Sequence, residues 1–374
     1  MSAKKALQKV PNLSDLGTRR GAEKTVLITG GSGFIGTNLA HAIAAGGRRV
    51  RLLDNLSRPG VEQNLRWLKK TYADRLSIEV ADVRDPFAVR RAVAGAEAVF
   101  HFAAQVAVTT SLEDPAHDFE VNVRGTLNVL EAARAQEQPP VVLFTSTNKV
   151  YGGMTDVPLK LRGLRYEPCD AALSAHGFGE DRPLDFHSPY GCSKGAADQY
   201  VLDYARSYGL RTAVFRMSCI YGPHQFGTED QGWVAHFLIR ALEDRPITLY
   251  GDGMQVRDVL YVEDLARAFL LAERHIDTIA GQAFNMGGGP DNTISLLELV
   301  DLIGELHGIP PRIFYESWRT GDQRYYVSDT ARFAAATGWR PRVNVREGVS
   351  NLYNWLLESR GLAEVAATAG RQAS

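Results

Sequence analysis

Tyr190 and Lys194 stand four positions apart in the run Tyr190-Gly191-Cys192-Ser193-Lys194. On a helix, positions i and i+4 share a face, so the phenol and the ammonium point the same way. The ammonium favours the phenolate, and a nicotinamide cation would do the same. Together they are expected to draw the tyrosine from about 10 towards working pH and make it a base for an alcohol proton. A YxxxK spacing is common by chance. Here it follows Phe144-Thr145-Ser146-Thr147-Asn148-Lys149-Val150-Tyr151-Gly152, an apolar run that ends in hydroxyls and offers Thr147 to the same centre.

A second constellation lies near the start. Gly30-Gly31-Ser32-Gly33-Phe34-Ile35-Gly36 falls between a predicted strand and a predicted helix. Gly30 suits a tight turn, Gly33 a close approach to a pyrophosphate, and Gly36 the packing of helix on strand, with the helix N-terminus aimed at the phosphates. Asp54 ends the next strand at about the spacing of some 20 residues that a ribose-binding carboxylate requires. A carboxylate there repels a 2′-phosphate, which favours NAD over NADP, although Arg58 close by keeps NADP open. Asp82-Val83 follows the third strand, where the adenine edge is expected. Ala103-Ala104-Gln105 follows the fourth, beside the nicotinamide half.

The elements that must position these residues alternate in type. Strands are predicted over 25–29, 50–53, 76–80, 98–102, 141–145 and 212–216. Helical periodicity separates most of them, notably over 37–45, 119–135 and 194–208. Such alternation predicts an α/β fold: a doubly wound parallel Rossmann sheet covered by helices on both faces. After Tyr221-Gly222-Pro223 the loops lengthen, which predicts a smaller C-terminal substrate-binding region and a crevice between the two. The expected organisation is a flexible basic arm over 1–24, mainly the NAD-binding domain over 25–220, mainly the substrate region over 221–360, interleaved with the first, and a flexible tail over 361–374.

Composition narrows the class. The chain has 374 residues, 45% hydrophobic and 23% charged, as in soluble globular proteins. Its 42 basic and 43 acidic side chains nearly cancel, which gives no electrostatic reason to expect a nucleic-acid or membrane partner. Three cysteines without CxxC spacing argue against a metal site and for a reducing, cytoplasmic setting. No apolar run is long enough to span a bilayer.

From about Thr25 to Leu357 the chain resembles the extended short-chain dehydrogenase/reductases that remodel nucleotide sugars. The resemblance implies Thr147 as the hydroxyl residue, Tyr190 as the general base and Lys194 as its helper, and it matches Asn122-Val123-Arg124-Gly125-Thr126 to the family's sheet-edge motif. The 4,6-dehydratases of this superfamily carry an Asp-Glu pair after the hydroxyl residue, where this chain has Asn148-Lys149; dehydration is not expected. A narrower resemblance is to the CDP-paratose 2-epimerases, also called tyvelose epimerases. It rests on Asp54-Asn55-Leu56-Ser57-Arg58, on Thr147-Asn148-Lys149, on the run from His187 through Tyr200, on Asp230-Gln231-Gly232-Trp233 and on Asp322-Gln323-Arg324.

What this resemblance implies is an NAD-dependent 2-epimerase of a CDP- or GDP-hexose that works by transient oxidation, with Asn55 and Ser57 also at the cofactor. Other isomerisations on the scaffold, 4-epimerisation or pyranose–furanose exchange, stay open, as does a net reductase. Arg257 and Arg319 match phosphate-binding arginines, or are structurally paired. Cys219 takes the place of an asparagine that commonly holds the substrate diphosphate. His187, Gln225, Gln231, Trp233 and Arg324 are further pocket candidates, with Trp233 as readily core packing. Helices over 119–135 and 194–208 resemble those of a homodimer interface, unless Leu127, Leu130 and Val201 only cover the sheet.

Overall fold

The computed structural model describes residues 25–319 and 321–360; the expected N-terminal arm and C-terminal tail lie outside the described residues. Seven parallel strands form the central sheet: β1 (Thr25–Thr29), β2 (Arg49–Asp54), β3 (Leu76–Val80), β4 (Ala96–His101), β5 (Val141–Thr147), β6 (Thr212–Met217) and β7 (Gln282–Met286). Their order across the sheet is β7-β6-β5-β4-β1-β2-β3. Strands buried on both faces need apolar residues on both, and the central ones have them: all seven residues of β5 are buried.

Two apolar layers hold the helices against the sheet. On one face Ile28, Phe100 and Phe215 pack with Leu265 and Phe269. On the other, Leu27, Val99 and Phe144 pack with Val129, Leu130 and Val201. Strand order reverses between β1 and β4, which opens a crevice at the carboxyl ends of the strands. Helix α1 (Phe34–Ala45) rises from the glycine turn on one side of it. On the other side are α2 (Pro115–Phe119), α3 (Gly125–Arg134) and the long helix α4 (Ser188–Tyr208).

A third cluster, with Tyr221, Leu238, Leu249, Leu299 and Leu352, forms around residues 221–357. Within it the strand Val256–Tyr261 pairs with Cys219–Tyr221, Thr293–Ser295 and Tyr325–Tyr326. Between Tyr261 and Thr293 the chain returns to the large sheet as β7, a strand that the periodicity does not announce. Between α2 and α3 the helix widens to a π turn over Glu120–Arg124. Helix α4 begins at Ser188, six residues before the predicted start, which puts Tyr190 in its first turn.

Candidate functional site

At the glycine turn the backbone runs too close for side chains. Gly30 has φ +66°, and a Cβ on it would stand 2.8 Å from the Ala103 nitrogen. A Cβ on Gly36 would lie 2.3 Å from the Gly30 carbonyl oxygen. Gly33 caps α1 without a side-chain hydrogen bond, so the amides at Phe34, Ile35 and Gly36 begin a helix with free donors, as an anion requires. Asp54, at the end of β2, accepts from the Ser32 and Leu56 amides, each at 2.9 Å, and burial still pushes its carboxyl above the ordinary value. Asn55 donates to Asp82 at 2.9 Å; with the Arg84 hydrogen bonds, this holds the Asp82 carboxyl down at about 2. These residues, with Ser57, Arg58, Val83, Ala103, Ala104 and Gln105, line one cavity of about 1070 Å³. The residues present fit a dinucleotide.

Asn122 does not reach that cavity. It is buried in the π turn, where its side-chain oxygen accepts from the Gln105 amide at 3.0 Å and its amino group donates to Ser193 on α4 at 3.0 Å. It thus ties the fourth strand-end loop to α4.

Thr147 ends β5, and Tyr190 and Lys194 share one face of α4; all three line the same cavity. Ser188, two residues before Tyr190, adopts φ +64°, a left-handed conformation that is costly for a side-chain-bearing residue and is held here by the turn into the helix. The electrostatics differ from the sequence expectation. Burial dominates and pushes the Tyr190 phenol up to about 12; the Thr147 hydrogen bond pulls it down, the Asp118 charge pushes it up, and Arg58 pulls it down. Burial likewise pulls the Lys194 ammonium down to about 7 against the charges of Asp198 and Asp118. The residues alone therefore keep the phenol protonated, because taking it out of water outweighs the Thr147 hydrogen bond and the Arg58 charge. Lys194 also sits 4.3 Å from the centre of the Phe144 ring.

The far end of the cavity carries the remaining candidates. Asn148 donates to Gln323 at 3.3 Å, and Lys149 donates to the Gly321 carbonyl at 3.2 Å beside Asp322. Asp322 in turn pairs with Arg257 at 2.7 Å. Arg319 lies 3.7 Å over the Tyr250 ring, with Asp230 at 3.4 Å. Both arginines thus line the cavity and are structurally paired as well. Trp233, the first residue of the helix α5 (Trp233–Leu242), donates to the Cys219 sulfur at 3.3 Å and packs edge-on against Phe237. Trp233 is both core and wall. Gln225, nearly buried, and Gln231 complete the rim.

Two candidates lie elsewhere. His187 is the exposed residue before α4, 3.0 Å from Asp185. Arg324 points outward and lies 5.7 Å over Tyr166 and 5.4 Å over Trp318, because Gln323 takes the inward position at that turn. Sequence reasoning missed Asp118, a buried acid acting on Tyr190, and Asp322, which holds two cations of the cavity wall. Asp322 sat inside a quoted motif, whereas nothing in the local pattern marked Asp118.

Residues 26–287 match the NAD dependent epimerase/dehydratase family. The chain is 43% identical over 337 residues to the CDP-paratose 2-epimerase of Salmonella typhi, covering 88% of this chain and 98% of that one. It is 33% identical over 325 residues to the UDP-glucose 4-epimerase of Mycolicibacterium smegmatis, covering 87% and 96%. The fold matches the crystal structure of the Thermus thermophilus UDP-glucose 4-epimerase in complex with NAD at a TM-score of 0.73 and 33% identity, over 88% and 98% of the two chains. The chain belongs to the NAD dependent epimerase/dehydratase family, and NAD is its cofactor.

Proposed function

We propose that the protein is a nucleotide-hexose 2-epimerase, an isomerase acting on a CDP- or GDP-sugar. The single observation that carries this reading is the junction of Thr147-Asn148-Lys149 with Asp322-Gln323 at the wall of one cavity, beside Tyr190. The 43% identity to a CDP-paratose 2-epimerase supports the choice of carbon.

The glycine turn with Phe34 and Ile35 holds the pyrophosphate of NAD, and Asp54, Asn55, Ser57 and Arg58 hold its adenosine side with Asp82 and Val83. Ala103, Ala104 and Gln105 flank the nicotinamide, and Asn122 fixes Gln105 from behind. Bound NAD supplies a hydride acceptor and a positive charge that favours the Tyr190 phenolate. Tyr190 then takes the hydroxyl proton from the sugar at its phenolate oxygen, while Thr147 holds the same hydroxyl. The proton returns from Tyr190 once the keto sugar has presented its other face. Lys149, Arg257 and Arg319 supply cations for the diphosphate, the arginines by a planar fork, and Asn148, Cys219, Gln225, Gln231 and Trp233 bound the sugar and base.

The division into an NAD-binding part over 25–220 and a substrate part over 221–360 is proposed on the same grounds. Three unpaired cysteines support a cytoplasmic setting. Leu130 and Val201 pack under the sheet, but Phe119 and Tyr200 on the adjoining helices are 48% and 44% exposed, which supports a homodimer through that face. Light scattering at micromolar concentration tests it, and a monomer there contradicts it. Incubation with a panel of CDP-, GDP- and UDP-hexoses, with product stereochemistry read by NMR, tests the activity. Inversion at C2 of a CDP- or GDP-sugar is expected; net NADH consumption or inversion at C4 overturns the reading.

A further inference from the structure

Asp118 stands behind the catalytic pair, on α2, and is 1% exposed. One of its oxygens accepts from the Asn122 amino group at 3.1 Å, and the Ser193 hydroxyl also bears on the carboxylate. The same amino group donates to the Ser193 hydroxyl at 3.0 Å, and that hydroxyl donates to the Tyr190 carbonyl oxygen at 3.2 Å. A carboxylate is thus locked, through one asparagine and one serine, to the turn that carries Tyr190. A carboxylate in a closed interior is costly, and its charge acts strongly on the ionisable groups beside it.

The groups around it define what it acts on. Burial pushes its carboxyl up, while the Ser193 hydroxyl, Lys194 on α4 and His117, next to it in the chain, pull it down. Asp198, one turn beyond Lys194, is neutralised by a two-pronged pair with Arg216 at 2.9 and 3.1 Å. His101, on β4, is buried between the Thr29 and Thr126 hydroxyls and held neutral, at about 3. Arg58 acts on Tyr190 from the cofactor side. Lys194 therefore faces the Arg216-paired Asp198 and two further buried acids, Asp118 and Tyr190, and the charge of Asp118 acts on both Lys194 and Tyr190.

We propose that Asp118 is a positioning residue of the reaction: it competes with Tyr190 for the negative charge opposite Lys194, and so sets the pH range in which Tyr190 serves as base. Beside the Asp198–Arg216 pair, Lys194 balances one further negative charge, on Asp118, and Tyr190 keeps its proton. The second negative charge follows the additional cation of the bound cofactor. This inference rests on the reading of Tyr190 as the base.

Replacing Asp118 by Asn leaves an acceptor for Asn122 and removes the charge. Asp118 raises both Tyr190 and Lys194, so its loss moves both ionisations down. Both limbs of the rate–pH profile are expected about one unit lower, the scale of a neighbouring charge. The ultraviolet phenolate signal of the NAD-loaded enzyme, with Tyr190→Phe as its blank, moves down alike. Asp118→Ser gives the same shift if the Asn variant does not fold, and Asp118→Glu restores the wild-type profile. A fall in rate with both limbs and the phenolate midpoint unmoved overturns the proposal. A phenolate signal that persists in Tyr190→Phe overturns the reading of the base, and this inference with it.

Discussion

Asn148 and Gln323, 175 positions apart, meet in the protein interior, where the asparagine donates to the glutamine oxygen at 3.3 Å. Gln323 also donates to the Gly152 carbonyl at 2.7 Å and is wholly buried. It therefore clamps the turn that follows Thr147. Gln323→Ala leaves the Asn148 amino group and the Gly152 carbonyl without partners. A loss of about 1–3 kcal/mol for each orphaned buried group is expected in denaturant unfolding, with a lower turnover rate. Unchanged stability contradicts the clamp.

The glycine turn allows a sharper test. A Cβ at position 36 falls 2.3 Å from the Gly30 carbonyl oxygen and 2.7 Å from the Gly31 Cα, both of them backbone. Gly36→Ala must displace the turn, at a cost of roughly 1–3 kcal/mol. Calorimetry is expected to show lower stability and weaker NAD binding together. Normal NAD affinity in that variant removes the turn from the cofactor site.

Asp54 serves its own loop through the Ser32 and Leu56 amides and is proposed to serve the ribose as well. Asp54→Ala is expected to weaken NAD binding by about 1.5–3 kcal/mol, the range for hydrogen bonds to a charged group. Titration calorimetry with NAD and NADP reads it. Wild-type preference for NADP contradicts the assignment.

Lys194 gives the NAD-free protein a pH signature. Its ammonium lies at about 7 in the fold against 10.5 as the ordinary value. Between these limits the unfolded chain holds a proton that the fold does not, so this group adds stability as pH rises from about 7 towards 10. Below that window its burial costs most. The difference in unfolding free energy between wild type and Lys194→Met is therefore expected to shift in favour of wild type across that range. A difference flat with pH contradicts the buried ammonium.

Much of this site was legible because its chemistry sits at strand ends. The β-branched runs of β1 and β5 mark buried parallel strands; Gly30 follows β1, Asp54 ends β2 and Thr147 ends β5, while Tyr190 comes from the first turn of α4. β7, Gln282-Ala283-Phe284-Asn285-Met286, lacks that signature, and only its place in the sheet identifies it. The π turn adds one residue to a helical period and is invisible to it, yet it orients Asn122 towards both Gln105 and α4. His187 and Arg324 lay in the right segments, but the direction of a single side chain in a turn is set by its neighbours: Asp185 for one, the inward Gln323 for the other. The Tyr190–Lys194 pair was legible as geometry and not as electrostatics. Spacing reports proximity, whereas burial, which dominates both groups, is a property of the assembled fold.

The most direct test of the account follows the hydrogen at sugar C2. CDP- or GDP-hexose carrying deuterium at C2 is incubated with the enzyme, and the epimerised product is read by NMR. Transient oxidation within one closed cavity, with Tyr190 handling only the hydroxyl proton, keeps the label at C2 of the inverted product. Loss of that deuterium to water, or a product inverted at C4 with C2 untouched, contradicts the account.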